Sequence, residues 1–491
     1  MSQAQVCATV AAKTTRELRT RRDQAHGADL VELRLDTVRD LDVDGALAGR
    51  TCPVLVTCRP TWEGGQFAGS EEERHGILRR ALALGAEWVD LEWRGGFEAL
   101  ITERHGRNIV LSMHDFERTP VDLDERYSAM RRCGVDVVKL AVRVHSASDV
   151  VRLLRLGRAK RREQVVLVGM GQVGVPTRLL PAHFGSCWTY AGDAVAPGQL
   201  PLRMMVEEFR CGEITDGTAI YGVAGAPIGH SLSPSMHNRG FAAIGRDAVY
   251  VPFEATGVDD LMMLTEALGV IGLSVTAPFK ESILPYVGEV DPVGQRVGAV
   301  NTLKAVENGW EALNTDVPGF LAPLEARCGV RGVRASVLGA GGSARAVAVG
   351  LASLGAHVTV CARRSEQAAV VAELVGGTVG CWPPRQGSWD LLVNTTPVGT
   401  SPNVQETVVT ASAMAGGKTV YDLVYNPGRT RLMREAEAAG CETIGGLEML
   451  VAQALQQFEW WCGNAPPVEL FRTAALETLS ARDSANQEPS T

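Results

Sequence analysis

The 491-residue sequence predicts an α/β protein in two parts: an N-terminal (β/α)8 TIM barrel, then a two-lobed α/β unit ending in a Rossmann lobe. Three observations carry this expectation. Strand-like runs alternate with helical stretches eight times before Gly212, the signature of a parallel barrel. The alternation then restarts as a new series. Finally, a strand runs into Gly339-x-Gly341-x-x-Ala344 and an alanine-rich helix, which turns backbone amides toward a pyrophosphate.

The barrel strands are expected at 6–11, 30–35, 54–58, 88–91, 109–113, 135–142, 165–169 and 187–191, with helices near 72–85 and 123–133 between them. In such a barrel the chemistry lies at the C-terminal ends of the strands. Residues 30–36 alternate, so Glu32, Arg34 and Asp36 share one face and Val31, Leu33 and Leu35 the other. The third strand leads to Arg59 and then Glu63-Gly-Gly, and the fifth to His114. The sixth carries Lys139 in an otherwise apolar run. Burying its charge is expensive, and the cheaper state is a neutral amine with a lowered pKa. A neutral amine can form an imine with a ketone. A lysine at a strand end can also snorkel to solvent. On this strand alone both readings stand.

Composition narrows the class. Hydrophobic residues at 45% and charged residues at 21% fit a soluble globular chain, and the length calls for two to four domains. A net charge of −8 gives no electrostatic reason to expect nucleic acid or an acidic membrane. No run reaches the roughly 20 apolar residues that span a bilayer, and the N-terminus lacks an apolar leader. Eleven cysteines without a Cys-x-x-Cys pair read as reduced core thiols of a cytoplasmic protein, with no disulfide framework and no metal site. The basic run at 158–162 reads as a solvated helix end, and the polar stretch from Ser480 as a disordered tail.

In the second part, strands are expected at 219–224, 248–252, 269–276 and 300–306. Ser231 and Ser233 cluster hydroxyls at a helix start, where an N-cap accounts for only one of them. Lys280 lies just past a strand and Asp316 in a turn. A Lys–Asp pair beside a nicotinamide can protonate an alkoxide as hydride arrives. Spacing alone does not pair them, and an exposed lysine with a capping aspartate is the plain alternative. The glycine loop comprises Gly339, Ala340, Gly341, Gly342, Ser343 and Ala344. The next strand, 357–361, ends in Ala362-Arg363-Arg364 where NAD-binding domains offer an acid. Two guanidinium groups suit a 2′-phosphate, which favours NADP(H) over NAD; two solvated arginines are the alternative.

These motifs resemble the fused type I 3-dehydroquinate dehydratase–shikimate dehydrogenase enzymes of the shikimate pathway, in the plant-like domain order. The first half carries the resemblance in Glu32-Leu-Arg34, Arg59 with Glu63-Gly-Gly, Met113-His-Asp-Phe, Lys139, Arg178 before Phe184-Gly-Ser, and Ala196-Pro-Gly-Gln199. The second carries it in Ser231 and Ser233, Val275-Thr-x-Pro-x-Lys280, Gly298-Ala-Val-Asn301, Asn314-Thr-Asp316, Asp422-x-x-Tyr425-x-Pro427 and Gly446-x-x-Met-Leu-x-x-Gln453.

The resemblance implies that Lys139 forms a Schiff base, with His114 as general acid–base and Glu63 supporting it. Glu32, Arg34, Arg59, Arg178 and Gln199 would bind 3-dehydroquinate. In the second half Ser231, Ser233, Thr276, Asn301, Tyr425 and Gln453 would bind the hydroxylated ring, with Lys280 and Asp316 catalytic. The glycine loop, Arg363, Arg364, Leu423 and Gly446 would hold NADP(H). The implied domains are 1–214 (barrel), 215–322 (substrate lobe), 323–445 (Rossmann lobe), 446–478 (returning helices) and 479–491 (tail). Three positions depart from the pattern: Val195 replaces a serine frequent in bacterial members, Ser274 an asparagine, and Ala362-Arg-Arg364 an Asn-Arg-Thr. An NAD-linked catabolic quinate enzyme and a non-catalytic regulator share these folds. Arg363 and Arg364 oppose the first, and the intact Lys139, His114, Lys280 and Asp316 oppose the second.

Overall fold

In the computed structural model, which describes residues 3–192 and 198–487, eight parallel strands form one sheet. They are β1 (Gln5–Ala11), β2 (Leu30–Arg34), β3 (Val54–Thr57), β4 (Trp88–Glu92), β5 (Ile109–Asp115), β6 (Val137–Arg143), β7 (Val165–Met170) and β8 (Trp188–Ala191). Their order is β7-β6-β5-β4-β3-β2-β1-β8. The barrel closes where Val165 bridges Ser186 and its carbonyl accepts from the Cys187 amide at 2.9 Å. All eight expected strands are present, offset by a few residues at most. Helices cover the outer face, so the strands are buried on both sides and rich in Val and Leu. Leu55, Val110, Val166, Met170, Trp188 and Tyr190 belong to the packed cluster of the barrel.

Local sequence fixes the helix that buttresses this site. Ser70 caps helix Glu71–Ala83, and Glu73 returns the bond to the Ser70 amide. Such a cap contributes about 1 kcal/mol. The helix in turn holds Arg74, which is buried and pairs with Glu92 of β4.

The second part holds two sheets. In the first, β9 (Ala219–Gly225), β10 (Ala248–Glu254), β11 (Val270–Val275), β12 (Glu289–Val290), β13 (Thr302–Val306) and β14 (Gly309–Leu313) are ordered β10-β9-β11-β13-β14-β12. In the second, β15 (Arg334–Leu338), β16 (His357–Cys361), β17 (Thr378–Val379), β18 (Leu391–Asn394), β19 (Thr419–Asp422) and β20 (Glu442–Gly445) are parallel in the order β17-β16-β15-β18-β19-β20. This is the doubly wound arrangement, whose ligands bind at the carboxyl ends of the strands where the order reverses, here between β15 and β18.

Contacts divide the chain into residues 1–220 with 251–269, and 221–250 with 270–491. The stretch 251–269 counts with the barrel because helix Val258–Leu268 lies against helix Ala147–Ala159. Asp260 accepts from the Ala147 and Ser148 amides at 2.7 and 3.0 Å, capping that helix.

Two expectations are corrected. Residues 480–487, expected within a disordered tail, continue helix Val468–Gln487, and the rest of the expected tail lies outside the described residues. That helix is held by its other face, where Thr478 donates to Ser235 at 2.8 Å and Ser235 to the Ala474 carbonyl at 3.2 Å. Asp316, expected in a turn, is the first residue of helix Asp316–Glu325, because the Asn314 side chain accepts from the Asp316 and Val317 amides. Among the described residues no helix is long and apolar enough to cross a membrane.

Helix Asp316–Glu325 packs on Gly446–Cys462 through Gly319, where a Cβ would lie 2.7–3.0 Å from Gln453 Cβ and backbone. Gly319→Ala should therefore destabilise this part of the chain by about 1–3 kcal/mol, the usual cost of overpacking. It should also displace Gln453 and leave chemistry at the barrel site intact. Chemical denaturation with separate assays of the two sites checks this, and unchanged stability would show that the helices can part freely.

Candidate active sites

At the C-terminal end of the barrel a cavity of about 100 Å³ is lined by Glu32, Arg34, Arg59, Glu63, His114, Lys139, Arg178 and Gln199, all the residues expected there. Val195 lies outside the described residues. Lys139 is buried, yet the strand does not leave it in apolar surroundings. Its Nζ lies 3.1 Å from Asp90 Oδ2 and 3.9 Å from Glu32 Oε1, and 4.2 Å from the centre of the Tyr190 ring. These four side chains come from β2, β4, β6 and β8. They make one layer of the barrel, which alternate strands fill.

The layer is fixed by hydrogen bonds. Thr9 and Thr57 donate to the two oxygens of Glu32 at 2.9 and 2.8 Å. Arg59 reaches Asp90 at 3.0 Å and Glu92 at 2.8 Å, and donates to Ser112 at 2.9 Å. Burial raises the Asp90 carboxyl, but Arg59 and Lys139, helped by the Ser112 hydrogen bond, outweigh it and hold it well below the usual carboxylate range. Burial also raises Glu92, and there Arg59 and Arg74 only partly oppose it. Desolvation lowers the Arg178 guanidinium to about 10. Sequence reasoning missed Asp90, Glu92 and Tyr190. The signal was there for the acids: Trp88-Val-Asp-Leu-Glu92 puts two of them on one face of a barrel strand.

His114 and Glu63 form a second element. Glu63 Oε1 accepts from the His114 amide at 2.9 Å and lies 3.0 Å from Nδ1, which leaves Nε2 for a substrate. Burial, then the cations Arg59 and Lys139, pushes the imidazole well below its ordinary range, so it is a neutral base. Burial raises Glu63 to about 7.

The second site is a cavity of about 440 Å³ lined by Ser231, Ser233, Thr276, Lys280, Asn301, Asp316, Ser343, Leu423, Tyr425, Gly446 and Gln453, among others. Here the structure pairs what spacing left apart: Lys280 Nζ lies 2.5 Å from Asp316 Oδ2. Asn301 Nδ2 lies 2.9 Å from the other oxygen of Asp316 and 3.3 Å from Gln453 Oε1. Gln457, which the sequence reading passed over, accepts from Ser274 at 2.8 Å and donates to the Asn301 carbonyl at 3.2 Å. Tyr250 donates to Ser274 at 2.6 Å.

The residues around the glycine loop fit a dinucleotide. Gly339 has φ +115°, and a Cβ there would lie 2.5 Å from Thr395 Oγ1, so only glycine serves. A Cβ on Gly341 would meet nothing within 4 Å, which leaves room for a group against the backbone. Helix Gly342–Ser353 starts there, its N-terminus toward the space beside Lys280. Arg363 and Arg364 are exposed after β16. Among the described residues no group of three or more His, Cys, Asp or Glu side chains could hold a metal ion.

Three stretches of the chain match models of known protein families. Residues 6–215 match the family model for type I 3-dehydroquinase. Residues 223–303 match that for the shikimate dehydrogenase substrate binding domain, and 446–476 that for the shikimate 5′-dehydrogenase C-terminal domain. A chloroplastic bifunctional 3-dehydroquinate dehydratase/shikimate dehydrogenase of Arabidopsis thaliana is 33% identical, covering 95% of this chain and 83% of that protein. A shikimate dehydrogenase (NADP(+)) of Methanosarcina mazei is 42% identical over 53% of this chain and 99% of its own. Among solved structures, shikimate 5-dehydrogenase of Thermus thermophilus in complex with NADP(H) and shikimate is 35% identical, covering 53% of this chain and 99% of that one, with a TM-score of 0.50.

The Glu63–His114 pair sets a pH dependence at the barrel site. When His114 takes up a proton its imidazolium is favoured by a Glu63 carboxylate and not by the neutral acid. Turnover should rise with pH through about 7 and level off above it. Glu63→Gln should flatten this limb and lose roughly tenfold or more at high pH, one pKa unit of imidazolium stabilisation. Turnover of the parent protein that is flat between about pH 6 and 8 would remove Glu63 from this role.

Proposed function

The chain belongs to the family of bifunctional 3-dehydroquinate dehydratase/shikimate dehydrogenases, and we propose that its two sites catalyse successive steps: dehydration of 3-dehydroquinate to 3-dehydroshikimate, then reduction of that product to shikimate. The observation that carries the reading is Lys139 beside two carboxylates in the same pocket as His114.

At the barrel site the Lys139 amine adds to the substrate ketone, and the carbonyl oxygen leaves as water to give an iminium. His114 Nε2 removes the proton α to it, and the electron pair passes into the C=N bond as an enamine. The returning pair expels the β-hydroxyl, which leaves as water with a proton from His114. Hydrolysis of the new iminium frees the product and Lys139. Arg178 supplies buried positive charge for the substrate carboxylate, and Glu32, Arg34, Arg59 and Gln199 line the space for its hydroxyls.

At the second site Ser231, Ser233, Thr276, Asn301, Tyr425 and Gln453 hold the product of the first. NADPH, when bound along the glycine loop, supplies the hydride. Lys280 donates a proton to the ketone oxygen as it becomes an alkoxide, and Asp316 orients Lys280 and takes part in its recharging. All eleven cysteines are free and five are buried, which suits a reducing compartment, and we place the enzyme in the cytoplasm; the Arabidopsis relative is named as chloroplastic.

Because each site is complete, Lys139→Ala should abolish dehydration and spare reduction of added 3-dehydroshikimate. Lys280→Ala should cost reduction roughly 10²–10⁴-fold, the span of a general acid, and spare dehydration. Borohydride with 3-dehydroquinate should leave a covalent adduct on Lys139 by peptide mass. A folded variant that loses both reactions, or an adduct elsewhere, would defeat the two-site reading.

Cofactor choice rests on Arg363 and Arg364. Each charge-assisted contact to a 2′-phosphate contributes about 1.5–3 kcal/mol, or roughly ten- to a hundredfold in affinity. The parent protein should prefer NADPH by kcat/KM, and replacing both arginines should narrow or reverse the preference over NADH. Equal use of both cofactors by the parent protein would favour an NAD-linked catabolic enzyme instead.

A further inference from the structure

The imine reading leaves one member of the Lys139 layer without a task. Tyr190 is buried, lines the cavity, and turns its ring face to Lys139 with Nζ 4.2 Å from the ring centre. We propose that this face is a catalytic element of the dehydratase site, holding the positive charge of the iminium that forms on Lys139. The inference rests on that imine reading and extends it.

Counting donors shows why a ring is suited to the task. A lysine ammonium has three N–H groups; Asp90 at 3.1 Å accepts one of them, and Glu32 at 3.9 Å acts through its charge alone. Condensation changes the inventory. One neutral amine, one ketone and one proton become one iminium and one water, the oxygen coming from the ketone. The nitrogen now carries a single N–H, so only one carboxylate oxygen keeps a direct hydrogen bond. The positive charge is undiminished and must remain, because it draws the α-carbanion electrons in the next step. Attraction to an aromatic face depends on charge and distance and not on N–H donors. It therefore survives condensation at full strength, whereas the N–H inventory falls to one.

Register makes the contact a built one. Tyr190 pairs with Cys7 of β1, and Trp188 with Gln5. Both aromatic residues of β8 thus point to the same side of the strand, and Tyr190 takes the upper position in the layer that Glu32, Asp90 and Lys139 complete. A leucine there would fill similar space with no quadrupole.

The test uses the full-length protein and a series at one position. Tyr190→Phe is the reference, since it keeps the ring and loses the hydroxyl. Against it stand Tyr190→Leu and site-specifically incorporated mono-, di- and trifluorinated phenylalanines, which keep the shape and weaken the negative face stepwise. Dehydration kcat and the rate of borohydride-trapped adduct on Lys139 should fall with each fluorine, and Leu should lie about three- to thirtyfold below Phe. KM should change less than kcat. Reduction of 3-dehydroshikimate, measured on the same samples, should be constant and reports the amount of active chain, and a thermal melt of each variant that matches Phe reports folding of the barrel. Fluorinated rings that match Phe, or Leu that matches Phe, would reduce Tyr190 to packing and overturn the proposal. Parent protein that forms no adduct at all would instead overturn the imine reading beneath it.

Discussion

The ion pair between Lys139 and Asp90, 3.1 Å apart and buried in the barrel, is the constraint on which the first half of the chain depends. Neither charge could be left there alone, since breaking a buried pair by removing one partner costs about 3–5 kcal/mol. The pair therefore dictates what surrounds it. Arg59 binds Asp90, Glu92 binds Arg59, and Arg74 binds Glu92. The chain of opposite charges ends at helix Glu71–Ala83, whose Glu71 takes the outer side of Arg74. A site built for one reactive nitrogen thus reaches outward to a helix that never touches the cavity. The Ser70 cap that starts this helix belongs to the same support.

The second site answers a different demand with the same residue type. In the proposed reaction Lys280 gives up a proton and regains it, and it stands part-exposed in the larger cavity, paired with the one carboxylate of Asp316. Asp316 is held by its position as the first residue of a helix and by Asn301. The Tyr250–Ser274–Gln457–Asn301 series then ties that amide to the sheet. Ser274 is a short side chain, and the Gln457 carboxamide reaches it from helix Gly446–Cys462.

Most of the architecture was legible because it follows from period and punctuation. Eight alternations gave eight strands, and the glycine loop fell between β15 and its helix. Legibility failed where a property belongs to the closed barrel and not to any one segment. Lys139 reads as a charge in an apolar strand, but its partners Asp90 and Glu32 are some 50 and 100 residues away. They meet it only because β2, β4 and β6 fill one layer. Tyr190 was passed over for the same reason. At the other end of the chain, residues 480–487 read as polar tail because the buried stripe of their helix, Phe471, Ala474, Ala475 and Leu479, lies ahead of them. Asp316 read as a turn residue because the capping side chain, Asn314, precedes it by two.

Two acids in the barrel site show how position alone assigns roles. Asp90 and Glu63 are both buried carboxyls near Arg59, and desolvation raises both. Asp90 also faces Lys139 and receives Ser112, and the balance falls on the side of permanent charge. Glu63 lies one shell further out, nearer Glu92 than Lys139 in effect, and stays near 7. Groups of the same kind whose environments drive them apart divide the labour of acid–base chemistry. In the proposed reaction Asp90 is the fixed counter-ion of the cationic intermediate. Glu63 has its charge free to answer His114, and only a group that titrates within the working range can follow a proton as it moves.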